Sequence, residues 1–379
     1  MTPKSVTAFT EDLFGDLLHS KQTLSLAMAA VGVLHATSLA IHAIGRGLAA
    51  AAGLNAKHTT KQVDRLLSNQ NLVVFDLIGA WVAFVVGPRK EIVVALDWTE
   101  FDKDNQATIA LYLVTRHGRA TPLIWMTVYK SDLAQKRNDY EDEVVSKLYE
   151  VLGADVRVTL LADRGFGDQK LYNFLHNELG WDFIIRFRGC ITVSDSKGVS
   201  KPARDWLSPS GRAKMLKNVE VTETGTPVPA VVLVHAKGMK DAWYLATSRA
   251  DLLASQVVKL YGRRFTIEET FRDTKDQHFG MGLSATHISN PVRRDRLLLF
   301  AAISHALLTL LGAAGERAGL DRMLKVNTVK RRTMSLYKQG CFWYDAIPNM
   351  PDDRLSLLMT AFDKCLHEHA IFRDIFGIL

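Results

Sequence analysis

Cysteine is scarce in this chain: three in 379 residues, at positions 190, 341 and 365. They are far apart, odd in number and without C-x-x-C spacing, which excludes a disulfide framework and fits a reducing compartment. Low-complexity tracts and internal repeats are absent, so extended disorder is not expected. The first twenty residues carry Glu11, Asp12 and Asp16 and lack the basic-then-apolar order of a signal peptide, so export is not expected. Formal charge is missing from Gln22 to Gly45, a run long enough to cross a bilayer. That run is rich in Ala and Gly, is interrupted by His35 and His42, and holds Thr37 and Ser38 near its middle. Insertion rewards the bulky apolar residues that are rare here, so buried, closely packed helices are expected and no membrane partner.

Hydrophobic residues make up 47% and charged residues 23%, the texture of a folded chain with room for roughly two or three domains. Lys and Arg outnumber Asp and Glu by 47 to 40, a net charge of +7. This balance favours polyanionic partners, although a merely basic surface gives the same count.

Residues 1–75 read as short helices. The Thr59–Thr60 pair offers an N-cap before Lys61, and Val63, Leu66 and Leu67 recur on one apolar face. Lys57, His58, Lys61 and Arg65 decorate the other face, either to meet a DNA backbone or simply to be solvated. From about residue 90 three apolar runs, "KEIVVALDWTEF", "QATIALYLVTRHG" and "ATPLIWMTVYK", predict consecutive strands. A helix over "DYEDEVVSKLYEVLG", a strand over "VRVTLLADRGFGD", a helix over "QKLYNFLHNELG" and a strand over "WDFIIRFRG" complete a β-β-β-α-β-α-β order. Residues 190–248 turn to Ser, Gly, Thr, Lys and Pro between short runs, an inserted, mainly β segment. Helical periodicity then returns and continues through a basic C-terminal stretch.

Asp97 closes the first predicted strand and Asp163 the fourth, positions where sheet proteins assemble sites and where Asp also serves simply to cap turns. A third acid, Glu268, lies in "LYGRRFTIEETFRDTKDQHFG". Tyr261, Arg264, Glu268, Arg272 and Lys275 are separated there by three or four residues and fall on one stripe of a helix. A solvated face with Glu–Arg pairs accounts for part of the stripe. Two-metal phosphoryl transfer accounts for more. Three hard carboxylates converging from two strands and a helix would cage two ions about 4 Å apart, with cations and hydroxyls beside them for the phosphates.

The stretch carries the Y-x2-R-x3-E-x6-K signature as Tyr261, Arg264, Glu268 and Lys275. Together with "ALDWTEF" around Asp97 and "LADRGFGD" around Asp163 it closely resembles the DDE transposases of bacterial insertion sequences, over about residues 57–340. The resemblance implies an α/β fold: a ribonuclease H-like catalytic core with an inserted β domain and helical N- and C-terminal regions. The boundaries follow as 1–75 for an N-terminal helical region that grips DNA ends, 76–189 and 249–320 for the two parts of the core, 190–248 for the β insertion, and 321–379 for a helical region for DNA contact or dimerisation.

It also implies an enzyme that cuts DNA at insertion-sequence ends and transfers the freed 3′-hydroxyls to target DNA by a cut-and-paste route. Asp97, Asp163 and Glu268 would be the catalytic, metal-binding acids for two Mg²⁺ ions, with Mn²⁺ able to substitute. Tyr261, Arg264, Arg272 and Lys275 would bind DNA, with Arg186 as a phosphate contact, for which Arg188 competes, and Trp243 as the ring under a flipped base. Trp243 is equally well accounted for as a core residue of an amphipathic strand. The implied partners are double-stranded DNA, as element ends and target, and a second copy of the chain in the DNA complex; the implied place is the bacterial cytoplasm, at the nucleoid when bound. A nuclease without strand transfer and a DNA-binding regulator derived from a transposase are the alternatives. The basic residues Lys325, Lys330, Arg331, Arg332 and Lys338 suit either DNA contact or solubility, and His367–His369 is too short and isolated for a metal site.

Overall fold

The fold is described from a computed structural model over residues 2–367; Glu368 and His369 of the terminal triplet lie outside the described residues. Five helices come first: α1 (Pro3–Phe14), α2 (Ser20–Ala36), α3 (Ile41–Ala52), α4 (Ala56–Leu67) and α5 (Val74–Val86). The charge-free run forms most of α2 and the first five residues of α3, two helices that meet at 96°. Small residues let the two backbones touch: a Cβ on Gly32 would stand 2.5 Å from the Ile44 carbonyl oxygen.

The N-cap expected at Thr59–Thr60 is displaced upstream. Asn55 caps α4, its side chain accepting from the amides of Lys57 (3.0 Å) and His58 (3.3 Å). Asn is the stronger cap, and the earlier start puts Thr59 inside the helix, where its hydroxyl donates to the Gly45 carbonyl of α3 at 2.7 Å.

Ten strands form one sheet in the order β3-β2-β1-β4-β5-β10-β9-β8-β6-β7. Its first part comprises β1 (Glu91–Phe101), β2 (Gln106–Leu113), β3 (Thr121–Tyr129), α6 (Arg137–Leu152), β4 (Arg157–Ala162), α7 (Gln169–Asn173) and β5 (Asp182–Arg186), the element order read from periodicity. β1, β2 and β3 pair antiparallel, while β1, β4 and β5 run parallel. The residues of β2 are all buried, as are Ile92–Leu96 of β1. Continuous apolar runs such as "IVVAL" suit strands covered on both faces.

β6 (Thr192–Ser194), β7 (Ser200–Pro202), β8 (Lys214–Val221), β9 (Thr226–Val234) and β10 (Trp243–Thr247) continue the same sheet outward, with β10 antiparallel to β5. The chain then enters α8 (Ala254–Gly262), α9 (Phe265–Lys275), α10 (Pro291–Arg317), α11 (Leu336–Ala346) and α12 (Asp352–His367). Among the described helices α10 alone is long and apolar enough to cross a membrane, and 94% of its apolar window is buried in the fold. It packs on β3 and against α2, α11 and α12, and a helix apolar all round is a core helix when it is surrounded in this way.

Candidate active site

The parallel pairing of β1 with β4 ends at Leu96 opposite Ala162. Asp97 and Asp163 are therefore the next residues on two adjacent strands. Asp97 does not close its strand as expected, because β2 goes on pairing with β1 as far as Phe101. It lies where β4 departs and opens the sheet. Asp163 accepts from the Gly165 amide at 2.7 Å and so caps a short turn.

The expected single helical stripe is broken. Tyr261 is in the last turn of α8 and Arg264 is the N-cap of α9, with Arg263 in the turn between them. The break turns the Arg264 side chain inward, where only about a twentieth of it is exposed. Its Nη1 donates to Asp97 Oδ2 at 3.0 Å and its Nη2 to Glu268 Oε1 at 2.6 Å. Two acids remote in sequence thus share one guanidinium, with Asp163 close enough to act on both Asp97 and Arg264.

Burial pushes the Asp97 carboxyl up to about 6; Arg264 and the Trp98 amide pull it back, while Asp163 and Glu268 push it further. Burial also draws the Arg264 guanidinium down, but Tyr261, Asp97, Glu268 and Asp163 more than offset this and hold it above its usual value. Like charges gathered in a partly buried space raise one another's pKa and make the cluster a candidate cation site. The donor set is hard oxygen, as Mg²⁺ requires. Among the described residues, however, no group of three His, Cys, Asp or Glu stands in ligand geometry. The oxygens are engaged elsewhere: Asp97 Oδ1 by the Trp98 amide, Oδ2 by Arg264, and Glu268 Oε1 by Arg264.

The remaining sequence candidates divide. Tyr261 is 1% exposed, and burial pushes its phenol up to about 12. Its ring meets Trp243 edge-on at 5.0 Å, and Trp243 in turn lies 5.9 Å from Phe265. Arg186, at the end of β5, donates to the Ala242 carbonyl at 3.1 Å beside this cluster, whereas Arg188 is exposed. Lys275 turns back onto β1, donating to Thr99 Oγ1 (3.0 Å) and the Glu100 carbonyl (2.8 Å). Arg272 is exposed and pairs with Glu269.

Two features escaped the sequence reading. Phe265, 40% exposed, follows Tyr261 by four residues, a spacing that marks it as a neighbour on the same side. Asp273, on the buried side of α9, binds Arg119 and also Lys338 (3.2 Å), anchoring the helix from behind. Nothing local in the sequence signals that pairing, since Arg119 is in the β2–β3 connection and Lys338 is on α11.

Asp97 and Asp163 thus stand at neighbouring strand positions of a mixed sheet, and Glu268 joins Asp97 from α9 through Arg264. Residues 126–307 match the family described as the transposase DDE domain, so this part of the chain is similar to that domain. The matched span contains Asp163 and Glu268 and begins within β3, beyond Asp97. No curated protein matches the chain.

Proposed function

We propose that this chain is a transposase that cuts DNA at the ends of an insertion sequence and joins the freed 3′-hydroxyls to a target, using Asp97, Asp163 and Glu268 as its acids. The observation that carries the reading is the Arg264 bridge, which draws Asp97 and Glu268 onto one cation beside Asp163. Held by these carboxylates, two Mg²⁺ ions would supply activation of the attacking oxygen and stabilisation of the leaving one. Arg264 would then exchange carboxylate oxygens for phosphate oxygens, which its planar fork accepts equally well. Trp243 and Phe265 form a partly exposed aromatic platform for an extruded base, with Arg186 placed for the adjoining phosphate.

The end-gripping surface is the polar face of α4. An open groove of about 850 Å³ is lined there by His58, Lys61, Gln62 and Arg65, joined by Lys21 and Gln22 from α2. Cations for phosphates and amides for base edges line it together, with no acid among its lining residues.

A binding-only regulator is the second reading, because Arg264 already compensates Asp97 and Glu268 without any metal. The deciding experiment uses a supercoiled plasmid carrying the DNA that flanks the coding sequence, with Mg²⁺ or Mn²⁺. Wild-type protein should nick and then excise the element, and Asp97→Ala, Asp163→Ala or Glu268→Ala should abolish cutting while leaving mobility-shift binding intact. Cutting by Asp97→Ala protein sinks the acid assignment, and binding without any metal-dependent cutting by wild type favours the regulator. Pre-cleaved ends offered with a target plasmid separate a transposase from a plain nuclease, which yields no joined product.

A further inference from the structure

Consecutive arginines leave the α8–α9 turn toward different surroundings: Arg264 toward Asp97, and Arg263 into a separate groove of about 350 Å³ lined by Arg116, Lys259, Arg249 and Glu91. This groove lies toward the start of β1, with Val93 in its wall and about 13 Å of strand between Val93 and Asp97. Its charges are unequally matched. Arg249 and Glu91 are occupied with each other (3.4 Å), and Arg249 also with Asp251 (2.9 Å). Arg116, Lys259 and Arg263 have no ion pair among the described residues, and Arg263 Nη1 is sealed from solvent without a hydrogen-bond partner.

Burial and the facing Arg116 together hold the Arg263 guanidinium below its usual value. Arg116, Lys259 and Arg263 line one groove without an ion-pair partner among the described residues, a balance of charge that favours an anion. An anion entering the groove offsets the repulsion between Arg263 and Arg116.

We infer that the Arg116–Lys259–Arg263 groove is a second phosphodiester-binding site, which holds the backbone of a DNA segment other than the one gripped by the α4 groove. This rests on the reading of the chain as a DNA-cutting transposase, and it adds the path of a second duplex. Such an enzyme handles donor and target DNA together, and a cationic groove one residue removed from Arg264 fixes a strand relative to the acids. Phosphate contacts of this kind position without reading sequence.

The test is fluorescence anisotropy of full-length protein with a labelled duplex of arbitrary sequence over a salt series. Each phosphate contact contributes about 0.9 to the slope of log affinity against log salt. Arg116→Gln/Arg263→Gln should therefore flatten that slope by about two and weaken binding roughly tenfold at moderate salt. The control Lys217→Gln/Lys237→Gln, with equal loss of charge on exposed positions of the outer strands and their connection, should leave the slope unchanged. The groove variant should also melt no lower than wild type, since it removes a repulsion; this separates lost binding from lost folding.

Inorganic phosphate at matched ionic strength should displace the duplex no better than chloride. An unchanged slope in the groove variant overturns the inference. So does a wild-type melting point raised by phosphate, lost in the variant, with duplex binding equal in both, because the groove then takes only a small anion. Plasmid cutting run on the same preparations keeps the two readings apart: cutting by wild type with no slope change in the variant defeats the groove alone, and absence of both cutting and binding defeats both.

Discussion

Arg264 is the side chain on which the candidate site turns. Its neutral replacement should be costly even without DNA, because Asp97 would be left partly buried beside two other acids. Arg264→Met is expected to lose on the order of 3 kcal/mol at pH 8, measured by urea unfolding, and Asp97→Asn in the same chain should recover most of it. Equal stability of Arg264→Met and wild type would mean that the guanidinium does not compensate these acids. His305 offers a separate test. Burial lowers it to about 4, and its ring stacks on Tyr337 at 4.4 Å. A depressed histidine contributes stability that is present above its unfolded value near 6.5 and lost as pH falls toward 4. His117, also lowered by burial, acts in the same sense. Asp295, raised by burial to about 7, acts oppositely, losing stability as pH climbs from about 4 to 7. Subtraction isolates the His305 contribution: His305→Phe has a cavity of about 30 Å³ beside it to grow into. Its thermal stability relative to wild type should rise steadily between pH 6.5 and 4 and stay level above 7.

Helix contacts rather than helix propensity decide where glycine is obligatory. On α10 a Cβ at Gly312 would lie 1.9 Å from the Leu336 carbonyl oxygen, and on α11 one at Gly340 would lie 1.8 Å from that of Leu308. Gly312→Ala and Gly340→Ala are each expected to cost roughly 3 kcal/mol or more by forcing these helices apart. Gly79 on α5 meets nothing within 4 Å, so Gly79→Ala should instead add up to about 1 kcal/mol through helix propensity. Thermal melts of the three proteins check both signs. The α8–α9 break follows similar logic. Periodicity alone continues a helix from Ala254 to Lys275, yet the turn at Arg263 and Arg264 sends one guanidinium to the acids and the other to the groove. That separation depends on the carboxylates of β1, which no local pattern reports.

Across the molecule the C-terminal helices serve as a wall of the core as much as a basic appendage. Of the basic residues there that suit either DNA contact or solubility, Arg332 is held by Glu316 (2.6 Å), Lys325 by Asp321 (2.6 Å) and Lys338 by Asp273 (3.2 Å). Removal of residues 321–379 would uncover the apolar flank of α10 and loosen α9. The shortened chain is expected to aggregate rather than merely to bind DNA less well, a difference read by sedimentation and far-ultraviolet circular dichroism. The central strands and the order of elements through β5 could be read directly from the chain, and the three acids could be proposed from it, because apolar runs, helical spacing and signature intervals are local properties. The arrangement around those acids could not. Asp97 sits where β4 leaves β1, Arg264 lies between two carboxylates, and Asp273 is held by residues from two other parts of the chain. Such pairings depend on which segments meet in space, and the free energy of burying a charge beside its partner exists only once the segments have met.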